Sequence, residues 1–290
     1  MEIELTIMSG AGNIFSVVDN RNYSLSKEFF IKNAPKICSK SYSKGNTEGL
    51  LVVETASSNE KDFALKYFNP DGSYGMMCGN GGRCAVLFAK DKGIIETSKS
   101  RIRFDVWEVE YIAELIEDKI RLKFPPPTII KKEILVTIEK DNIFGDYINV
   151  NSPHFVINFI DSPFSKEYDF FEFPLHEIAP KIRGHEIFRP DGVNVNFYLN
   201  FSEKIYLRTY ERGVEKETGA CGTGAISTAV SLFLKNHSKK RFLIVPPSKE
   251  ELEVEIYSED SGNITEIYLT GKAKVLEIAK LDIDDRCTAY

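Results

Sequence analysis

Two cysteines stand inside glycine-rich runs of this sequence. The first run reads CGNGG from Cys78, and the second reads CGTGA from Cys221. Both follow one pattern: cysteine, glycine, polar residue, glycine, small residue. The second cysteine comes 143 residues after the first in a chain of 290, which is close to half the chain length. This spacing favours a duplicated domain with one cysteine in each copy.

Each run precedes a segment whose apolar residues recur at helical spacing, CAVLFAK in the first half and AISTAVSLFLKNH in the second. The first N–H groups of a helix have no intrahelical acceptor, and the helix dipole makes this end attractive to anions. Glycines beside it let a carboxylate approach the backbone closely. A thiol in the same place is stabilised as its thiolate. The sequence therefore predicts, in each half, a cradle for a small anion with a reactive thiol at its edge.

Two such thiols on opposite sides of one bound carboxylate compound would suit proton transfer at its α-carbon. One thiolate would remove a proton from one face, and the opposite thiol would deliver a proton to the other, since inversion needs an acid and a base on opposite faces. The alternative for a lone cysteine is a small buried apolar residue. We prefer this alternative for Cys38, Cys84 and Cys287, which lack the glycine setting; Cys84 falls on the first predicted helix.

Cysteine spacing and the remaining motifs argue against a metal, a disulfide framework or a bound cofactor. The five cysteines are an odd number, and a reducing compartment does not favour disulfides. Zinc ligands usually come in closely spaced pairs, whereas Cys78 and Cys84 are farther apart and no histidine pairs with them. The histidines are His154, His176, His185 and His237. Because no Rossmann fingerprint or Walker motif occurs either, we expect no metal and no cofactor.

Composition indicates a soluble globular protein, with 42% hydrophobic and 28% charged residues. A net charge of −6 argues against nucleic acid as the main partner, because nucleic-acid-binding proteins usually carry a basic face. No apolar stretch approaches the roughly 20 residues that span a bilayer, and the N-terminus MEIELTIMSG lacks the features of a signal peptide. We expect a cytoplasmic protein that binds a small molecule and neither nucleic acid nor membrane.

Strand-like segments dominate both halves. They are rich in β-branched and aromatic residues and bounded by turn formers; they include EIELTIM, GLLVVET, FALKYFN, RIRFDVW, KIRLKF and FVINFI. A third helix candidate, SKEFFIKNAPKICSKSY, contains Pro35, which would interrupt it or start a new turn. The three prolines of KFPPPT can continue neither a ladder nor a helix. They divide the chain into a first domain, 1–125, and a second, 126–272, with the C-terminal segment, about 273–290, completing the first.

Several motifs resemble those of diaminopimelate epimerases in order and spacing, from Met8 to about Gly271. They are MSGAGN, FNPDGSYGMMCGNGGRC, NSPHFV, GVNVNF and YERGVEKETGACGTGA. The resemblance implies an α+β fold of two pseudo-symmetric αβ domains, each a curled, mainly antiparallel sheet around a central helix. It also implies a homodimer and the cofactor-independent epimerisation of LL- to meso-2,6-diaminopimelate, on the lysine and peptidoglycan pathway.

By the same resemblance, Cys78 and Cys221 match the two catalytic bases. The residues that match backbone cradles for the α-carboxylate are Gly79, Asn80, Gly222 and Thr223. Those that match the rest of the substrate site are Asn13, Asn69, Asn194, Glu211 and Arg212. Arginine can bind a carboxylate through two hydrogen bonds, and glutamate can bind an ammonium. Taken alone, Glu211 and Arg212 would be interpreted as a surface pair, and Asn69 as the start of an NPDG turn.

Three positions depart from the family pattern and leave the specificity at the distal end of the substrate open. Ile14 stands where an aspartate is usual, Gly49 where some members have glutamine, and Ser152 where an asparagine normally contacts substrate. We keep Ser152 among the expected substrate-binding residues, and we interpret His154 as structural rather than as a base. The main alternative is a related two-cysteine racemase with another substrate, such as histidine. A phenazine-biosynthesis-like isomerase would lack the paired cysteines, and a thiol redox protein is not supported by any C-x-x-C motif.

Overall fold

The computed structural model describes three stretches of the chain: residues 1–75, 78–96 and 98–283. The chain divides into two compact units. The first comprises Met1–Leu122 together with the segment that begins at Gly271, and the second comprises Lys123–Thr270. Cys287, which we interpreted as a residue without a chemical role, lies outside the described residues.

Strands make up more of the described structure than helices do. In chain order they are β1 (Glu2–Gly10), β2 (Asn13–Asp19), β3 (Gly49–Glu54), β4 (Phe63–Phe68), β5 (Arg101–Val106), β6 (Val109–Ile116), β7 (Lys119–Phe124), β8 (Ile129–Ile138), β9 (Asp141–Asn149), β10 (Pro153–Asn158), β11 (Asn194–Phe201), β12 (Lys204–Glu211), β13 (Lys216–Glu217), β14 (Arg241–Val245), β15 (Leu252–Ser258), β16 (Ile264–Gly271) and β17 (Ala273–Asp282). The α-helices are α1 (Lys27–Lys40), α2 (Gly79–Asp91), α3 (Leu175–Arg183) and α4 (Gly222–Lys235). Short 3₁₀ turns lie at Phe159–Asp161, Pro163–Lys166 and Glu186–Phe188.

The two units pair their strands in the same order. The first unit runs β17-β1-β2-β3-β4-β5-β6-β7, with β2–β3 and β4–β5 parallel and the other pairs antiparallel. The second runs β8-β9-β10-β11-β12-β14-β15-β16, with β10–β11 and β12–β14 parallel and the other pairs antiparallel. The predicted α+β class is confirmed, and the equal order of pairing in both units is what a duplicated domain produces.

Helices connect the parallel strands, because a parallel pair needs a crossover connection. In the first unit, α1 joins β2 to β3 and α2 joins β4 to β5. Leu50 of β3 packs with Phe30 of α1 in one apolar cluster. The next residue, Leu51, contacts α2, since a Cβ added to Gly81 would lie 3.2 Å from its Cδ2 atom. Successive side chains of a strand point to opposite faces, so the sheet of this unit lies between α1 and α2.

The second unit repeats this arrangement with α3 and α4. Val195 and Phe197 of β11 share an apolar cluster with Ile182 of α3. Asn196, between them in the strand, faces the other way and meets α4: a Cβ added to Gly224 would lie 2.7 Å from its Oδ1 atom. The helices α2 and α4 thus occupy equivalent places, and both are buried over most of their length.

Both central helices begin earlier than the sequence predicted. We expected each helix to start after its glycine run, but α2 begins at Gly79 and α4 at Gly222, so the glycines form the first turn. Glycine lets two positions of these turns pack closely against the strands: a Cβ added to Gly81 would lie 3.2 Å from Leu51 Cδ2, and one added to Gly224 would lie 2.7 Å from Asn196 Oδ1. Cys78 and Cys221 become the N-cap residues of the two helices.

Two further helix expectations were incomplete. Helix α1 continues through Pro35 instead of ending there. Pro35 has no N–H to donate to the carbonyl of Ile31. Gly72, whose φ is +87°, packs against this carbonyl so closely that a Cβ on it would collide with the oxygen. Helix α3 was not predicted, because it is short and Pro180 lies inside it.

Candidate active site

Cys78 occupies the N-cap of α2. It is half-buried, and its backbone is extended, with φ −86° and ψ 117°. Its carbonyl accepts the hydrogen bond from Gly82 N at 2.8 Å that opens the helix. The N–H groups of Gly79 and Asn80 precede any intrahelical acceptor. The predicted anion cradle of the first unit therefore lies at the true start of α2, beside the Cys78 thiol.

A buried polar network lies behind this cradle. The Asn80 side chain donates from Nδ2 to Asn13 Oδ1 at 3.3 Å, and its Oδ1 accepts from the Arg83 guanidinium at 2.6 Å. Arg83 is fully buried, and it also reaches the carbonyl of Gly79 at 3.4 Å. Asn13 donates in turn to the Glu48 carboxylate at 2.7 Å. The predicted residues Asn13 and Asn80 are thus brought together, in contact with two charged groups.

The MSGAGN motif supplies the tight turn that presents Asn13. Gly10 and Asn13 face each other at the end of the β1–β2 hairpin, and Ala11 and Gly12 between them have φ of 53° and 94°. Positive φ at both central residues is typical of the type I′ turns that suit twisted hairpins. A side chain at Gly10 would put its Cβ 2.5 Å from the carbonyl oxygen of Asn80. The turn can therefore approach α2 closely only with glycine at this position.

Asn69 belongs to a turn rather than to the Asn80 network. Its Nδ2 atom donates to Ser73 Oγ at 2.9 Å, and its carbonyl accepts from Gly72 N at 2.9 Å. Asp71 accepts from both the N–H and the hydroxyl of Ser73, at 2.8 and 2.6 Å. These bonds build the turn that the NPDG sequence indicates, and no hydrogen bond described in the structure joins Asn69 to Asn80.

Cys221 holds the equivalent place at the start of α4. Its backbone is extended, with φ −112° and ψ 111°, and its side chain is buried. The Sγ atom accepts from Gly224 N at 3.4 Å, and the Cys221 carbonyl accepts from Ala225 N at 2.9 Å. The first N–H groups of α4, at Gly222 and Thr223, again precede any intrahelical acceptor. The second unit thus repeats the cradle and thiol of the first.

A chain of hydrogen bonds leads from the sheet to Cys221. Thr209 Oγ1 donates to Asn196 Oδ1 at 2.8 Å, which fixes the orientation of that amide. Asn196 Nδ2 then donates to His154 Nδ1 at 2.9 Å, so the hydrogen of the neutral imidazole is on Nε2 and is donated to Thr223 Oγ1 at 2.9 Å. The Thr223 oxygen lies 3.5 Å from Cys221 Sγ and retains its own hydrogen to donate to the sulfur.

Burial keeps His154 neutral. The side chain is fully buried, and this burial lowers the pKa of His154 from 6.5 to about 3, with a smaller lowering from the positive charge of Arg212. A histidine with such a pKa is not a base at neutral pH. The geometry therefore assigns it the part of a neutral hydrogen-bonding bridge.

The remaining predicted residues of the second unit form a cluster beside this chain. Asn194 Nδ2 donates to Ser152 Oγ at 2.9 Å, and its Oδ1 accepts from the backbone N–H of Arg212 at 2.9 Å. The Arg212 guanidinium reaches the Asp191 carbonyl at 3.2 Å. The Glu211 carboxylate accepts a hydrogen bond from Thr218. Ser152 thus reaches Asn194 directly despite its short side chain.

Cys38 and Cys84 are buried within α1 and α2. The described cysteines are free thiols, and burial raises the pKa of the Cys38 thiol to about 11. Among the described residues, no group of histidine, cysteine and carboxylate side chains is arranged to hold a metal ion. In the same part of the chain, no helix is both long and apolar enough to cross a membrane.

The sequence analysis did not predict four polar residues of the networks behind the two cysteines. Arg83 carried a usable signal, since a charged residue inside a glycine-rich helix start is unusual. Asn196 carried another, because residues two apart in a strand share a face, which places it beside Asn194. Glu48 and Thr209 carried none, because Glu48 lies in a loop and both contact residues that are distant in sequence.

This chain is similar to known proteins over most of its length. A family model described as diaminopimelate epimerase matches residues 5–114 and 147–276. The chain belongs to the diaminopimelate epimerase family. The diaminopimelate epimerase of Aquifex aeolicus is 36% identical over 288 residues, covering 95% of this chain and 96% of that protein. The one from Chlorobaculum tepidum is 34% identical over 275 residues, covering 93% and 97%. The resemblance found in the motifs is confirmed, and the protein is an isomerase.

Solved structures share the fold of this family member at much lower sequence identity. A phenazine biosynthesis protein of the PhzF family from Bacillus anthracis has a TM-score of 0.71 at 14% identity, covering 98% of this chain and 100% of that one. A hydroxyproline epimerase from Agrobacterium vitis, with bound trans-4-OH-L-proline, has a TM-score of 0.70 at 14% identity, covering 98% and 94%. Because both kinds of protein share the fold, the fold alone does not separate the alternatives.

Proposed function

We propose that the protein interconverts LL- and meso-2,6-diaminopimelate without a cofactor, with Cys78 and Cys221 as its two acid–base groups. One observation carries this proposal. Each unit caps the first turn of its buried central helix with a cysteine, in equivalent places of an equivalent sheet. Membership of the diaminopimelate epimerase family supports the choice of substrate.

The proposed reaction is a proton exchange at one α-carbon. One cysteine, as thiolate, removes the α-proton, and the other, as thiol, gives its proton to the opposite face. The charge that develops on the α-carboxylate is stabilised by backbone N–H groups, from Gly79 and Asn80 or from Gly222 and Thr223. After one inversion the two sulfurs have exchanged protonation states, so the reverse reaction uses the same groups in exchanged roles.

The other predicted residues are proposed to hold the rest of the substrate. The Arg212 guanidinium can bind a carboxylate through two hydrogen bonds, and the Glu211 carboxylate can bind an ammonium. Asn194, which already joins Ser152 to the backbone of Arg212, would orient both. Asn69 is proposed to contribute an amide to the same amino-acid head. A homodimer and a cytoplasmic location are further proposals that rest on the family resemblance.

The proposal is tested by exchange of the α-hydrogen with solvent deuterium. Purified protein is given LL- and meso-diaminopimelate separately, under reducing conditions, beside Cys78→Ala, Cys221→Ala and, as a control, Cys38→Ala. We expect exchange with inversion in the wild type and in Cys38→Ala, since Cys38 is buried in α1. Each of the other two variants should lose epimerisation by about a thousand-fold or more.

Two results would overturn the proposal. Full epimerisation by either active-site variant would remove that cysteine from the mechanism. Exchange of another amino acid, such as histidine, without exchange of diaminopimelate would keep the two-cysteine chemistry and replace the substrate.

A further inference from the structure

Arg212 is a half-buried cation beside the Cys221 network. Its backbone N–H donates to Asn194 Oδ1 at 2.9 Å, and its guanidinium donates to the Asp191 carbonyl at 3.2 Å. Within the part of the chain that the structure describes, Arg212 forms no ion pair. Burial lowers the pKa of His154, and the positive charge of Arg212 lowers it further, so this charge lies near that histidine. A guanidinium in such a setting favours an anionic ligand.

Two loops of the second unit meet at Arg212. One joins the 3₁₀ turn at Glu186–Phe188 to β11, and it supplies the Asp191 carbonyl. The other joins β12 to β13, and Arg212 is its first residue. Because the side chain begins on one loop and bonds to the other, the direction of its guanidinium depends on the position of both.

Glu215 closes the loop that carries Arg212. Its N–H donates to the Glu211 carbonyl at 2.8 Å, and its φ is +57°. Its carboxylate accepts from Gly213 N at 2.9 Å and from the Tyr210 hydroxyl at 3.4 Å. This carboxylate therefore bonds to residues that lie on both sides of Arg212 in the sequence.

Arg183, the last residue of α3, contacts both loops. Its guanidinium forms an ion pair with Glu215 Oε1 at 2.6 Å. It also packs against Gly192 of the other loop, where an added Cβ would lie 2.9 Å from the Arg183 carbonyl oxygen and 3.4 Å from its Nη1 atom. The preceding residue, Ile182, is buried in the apolar cluster of this unit. Arg183 thus ties the two loops around Arg212 to a helix that is anchored in the core.

We propose that Arg183 and Glu215 are positioning residues that hold these two loops so that the Arg212 guanidinium is directed to a substrate carboxylate. They act through Arg212. Their side chains are 29% and 45% exposed, and an ion pair in such a place contributes little to stability, so its loss should affect substrate binding more than folding. This inference rests on the proposed function, since it takes the ligand of Arg212 to be an amino acid with a second carboxylate.

The test is a comparison of two variants of α3. Arg183→Met removes the ion pair and keeps an apolar side chain of similar length. The carboxylate remote from the reacting carbon keeps its charge throughout the reaction, so the loss is one of uniform binding: KM should rise about five-fold while kcat stays within about two-fold. The control is Lys181→Met, which removes another ion pair of the same helix, that with Glu139 at 2.8 Å between β8 and β9. A KM for Arg183→Met within about two-fold of the control would overturn the inference.

A second measurement tests whether the two residues act through one contact. Glu215→Gln keeps an acceptor for Gly213 N but loses the charge that pairs with Arg183. Because residues in contact show a coupling between their substitutions, the double variant should have a KM within about two-fold of that of Arg183→Met. KM increases that multiply in the double variant would contradict the proposal.

The failure of this inference differs from the failure of the proposed function. If diaminopimelate is epimerised and the Arg183 and Lys181 variants have equal KM values, only this inference fails. If the wild type exchanges another amino acid but not diaminopimelate, the proposed function fails, and the two variants are compared on that amino acid, where equal kcat/KM values would overturn the positioning of Arg212. If the wild type exchanges no amino acid, both are overturned.

Discussion

The two cysteine sites share their backbone and differ in the side chains behind it. Cys78 and Cys221 both cap a central helix with an extended backbone. Behind Cys78 lies a network that contains a fully buried guanidinium, that of Arg83, whereas behind Cys221 the bridge is His154, which burial keeps neutral. The two units thus share what the backbone supplies, the N–H groups of a helix terminus, and differ in their side-chain networks.

The two networks act on the residues around each cysteine in different ways. A guanidinium is always charged in proteins, so the network behind Cys78 contains a positive charge, that of Arg83, joined through Asn80 and Asn13 to the Glu48 carboxylate. The second network adds no charge, and its effect is to orient: His154 holds the Thr223 hydroxyl 3.5 Å from Cys221 Sγ. A variant that removes the charged group behind Cys78 and a variant that removes the orienting group behind Cys221 should therefore differ in how they change the free energy of unfolding.

The largest effect is expected at Arg83. Arg83→Met keeps most of the buried volume but removes the charged donor from Asn80 Oδ1, now 2.6 Å away. A hydrogen bond to a charged group contributes roughly 1.5–3 kcal/mol. We therefore expect the free energy of unfolding, measured by urea denaturation, to fall by about 2–3 kcal/mol. The KM for the substrate should rise as well, because Asn80 loses the group that holds it.

Arg101 provides the control for this change. It lies on β5 of the same unit with an exposed side chain, so Arg101→Met should leave stability within about 0.5 kcal/mol of the wild type. Equal stability of the Arg83 and Arg101 variants would mean that the charged network does not stabilise the first site.

A smaller and pH-dependent effect is expected at His154. Burial lowers the pKa of His154 from 6.5 to about 3. Between these values the unfolded chain binds a proton that the folded protein does not, so the stability contributed by neutral His154 is lost as pH falls. From pH 7 to pH 5 this loss amounts to about 2 kcal/mol. His154→Gln should lose that much less of its free energy of unfolding over the same interval.

His176 separates this effect from other titrations. It is an exposed histidine of α3, so His176→Gln should follow the pH dependence of the wild type, including the part that carboxylates contribute. If His154→Gln and His176→Gln lose equal stability between pH 7 and pH 5, His154 is not the neutral bridge described above.

The sequence could predict the fold class because its evidence is local or repeated. Alternating and β-branched segments indicate strands by themselves, and the repeated pattern at Cys78 and Cys221 indicates a duplication. The starts of α2 and α4 could not be predicted in the same way. Whether Gly81 and Gly224 precede a helix or form its first turn depends on Leu51 and on the other strand residues against which they pack.

The contacts of the candidate site likewise fall into those that join residues close in sequence and those that depend on how strands pair. Arg83 and Asn80 are three residues apart on one helix, so their contact was within reach of the sequence. The bond from Asn196 to Thr209 joins two strands, and the bond from Asn13 joins β2 to Glu48 in the loop before β3, so both depend on how the strands are paired. A sequence without register information does not give these contacts.

The chain segments just before the two cysteines also differ, and this contrast is the smallest. We call these segments the approaches to Cys78 and Cys221. Before Cys221, the chain is tied by hydrogen bonds: Thr218 donates to Glu211, and the Gly219 carbonyl accepts from Ser248 N at 3.0 Å. Before Cys78, it is tied by stacking. Tyr74 lies with its ring centroid 4.8 Å from that of Trp107 and 3.8 Å from Lys27 Nζ. The segment before Cys221 is thus held by polar contacts, whereas the segment before Cys78 adds an aromatic and cationic stack to its hydrogen bonds, among them the one from Lys27 Nζ to the Tyr74 hydroxyl at 2.5 Å.

Tyr74→Ala tests whether this stack holds the approach to Cys78. Aromatic and cation–π contacts at exposed sites contribute roughly 0.5–1.5 kcal/mol, so the free energy of unfolding should fall by about 1 kcal/mol. Trp107 is the only tryptophan of the sequence, and its fluorescence emission should shift as its ring loses a neighbour. Tyr74→Phe keeps the ring and should retain the emission of Trp107, while it loses the hydrogen bond that the Tyr74 hydroxyl accepts from Lys27 Nζ. An unchanged Trp107 emission in Tyr74→Ala would show that the stack does not persist in solution, and the approach to Cys78 would then need another anchor.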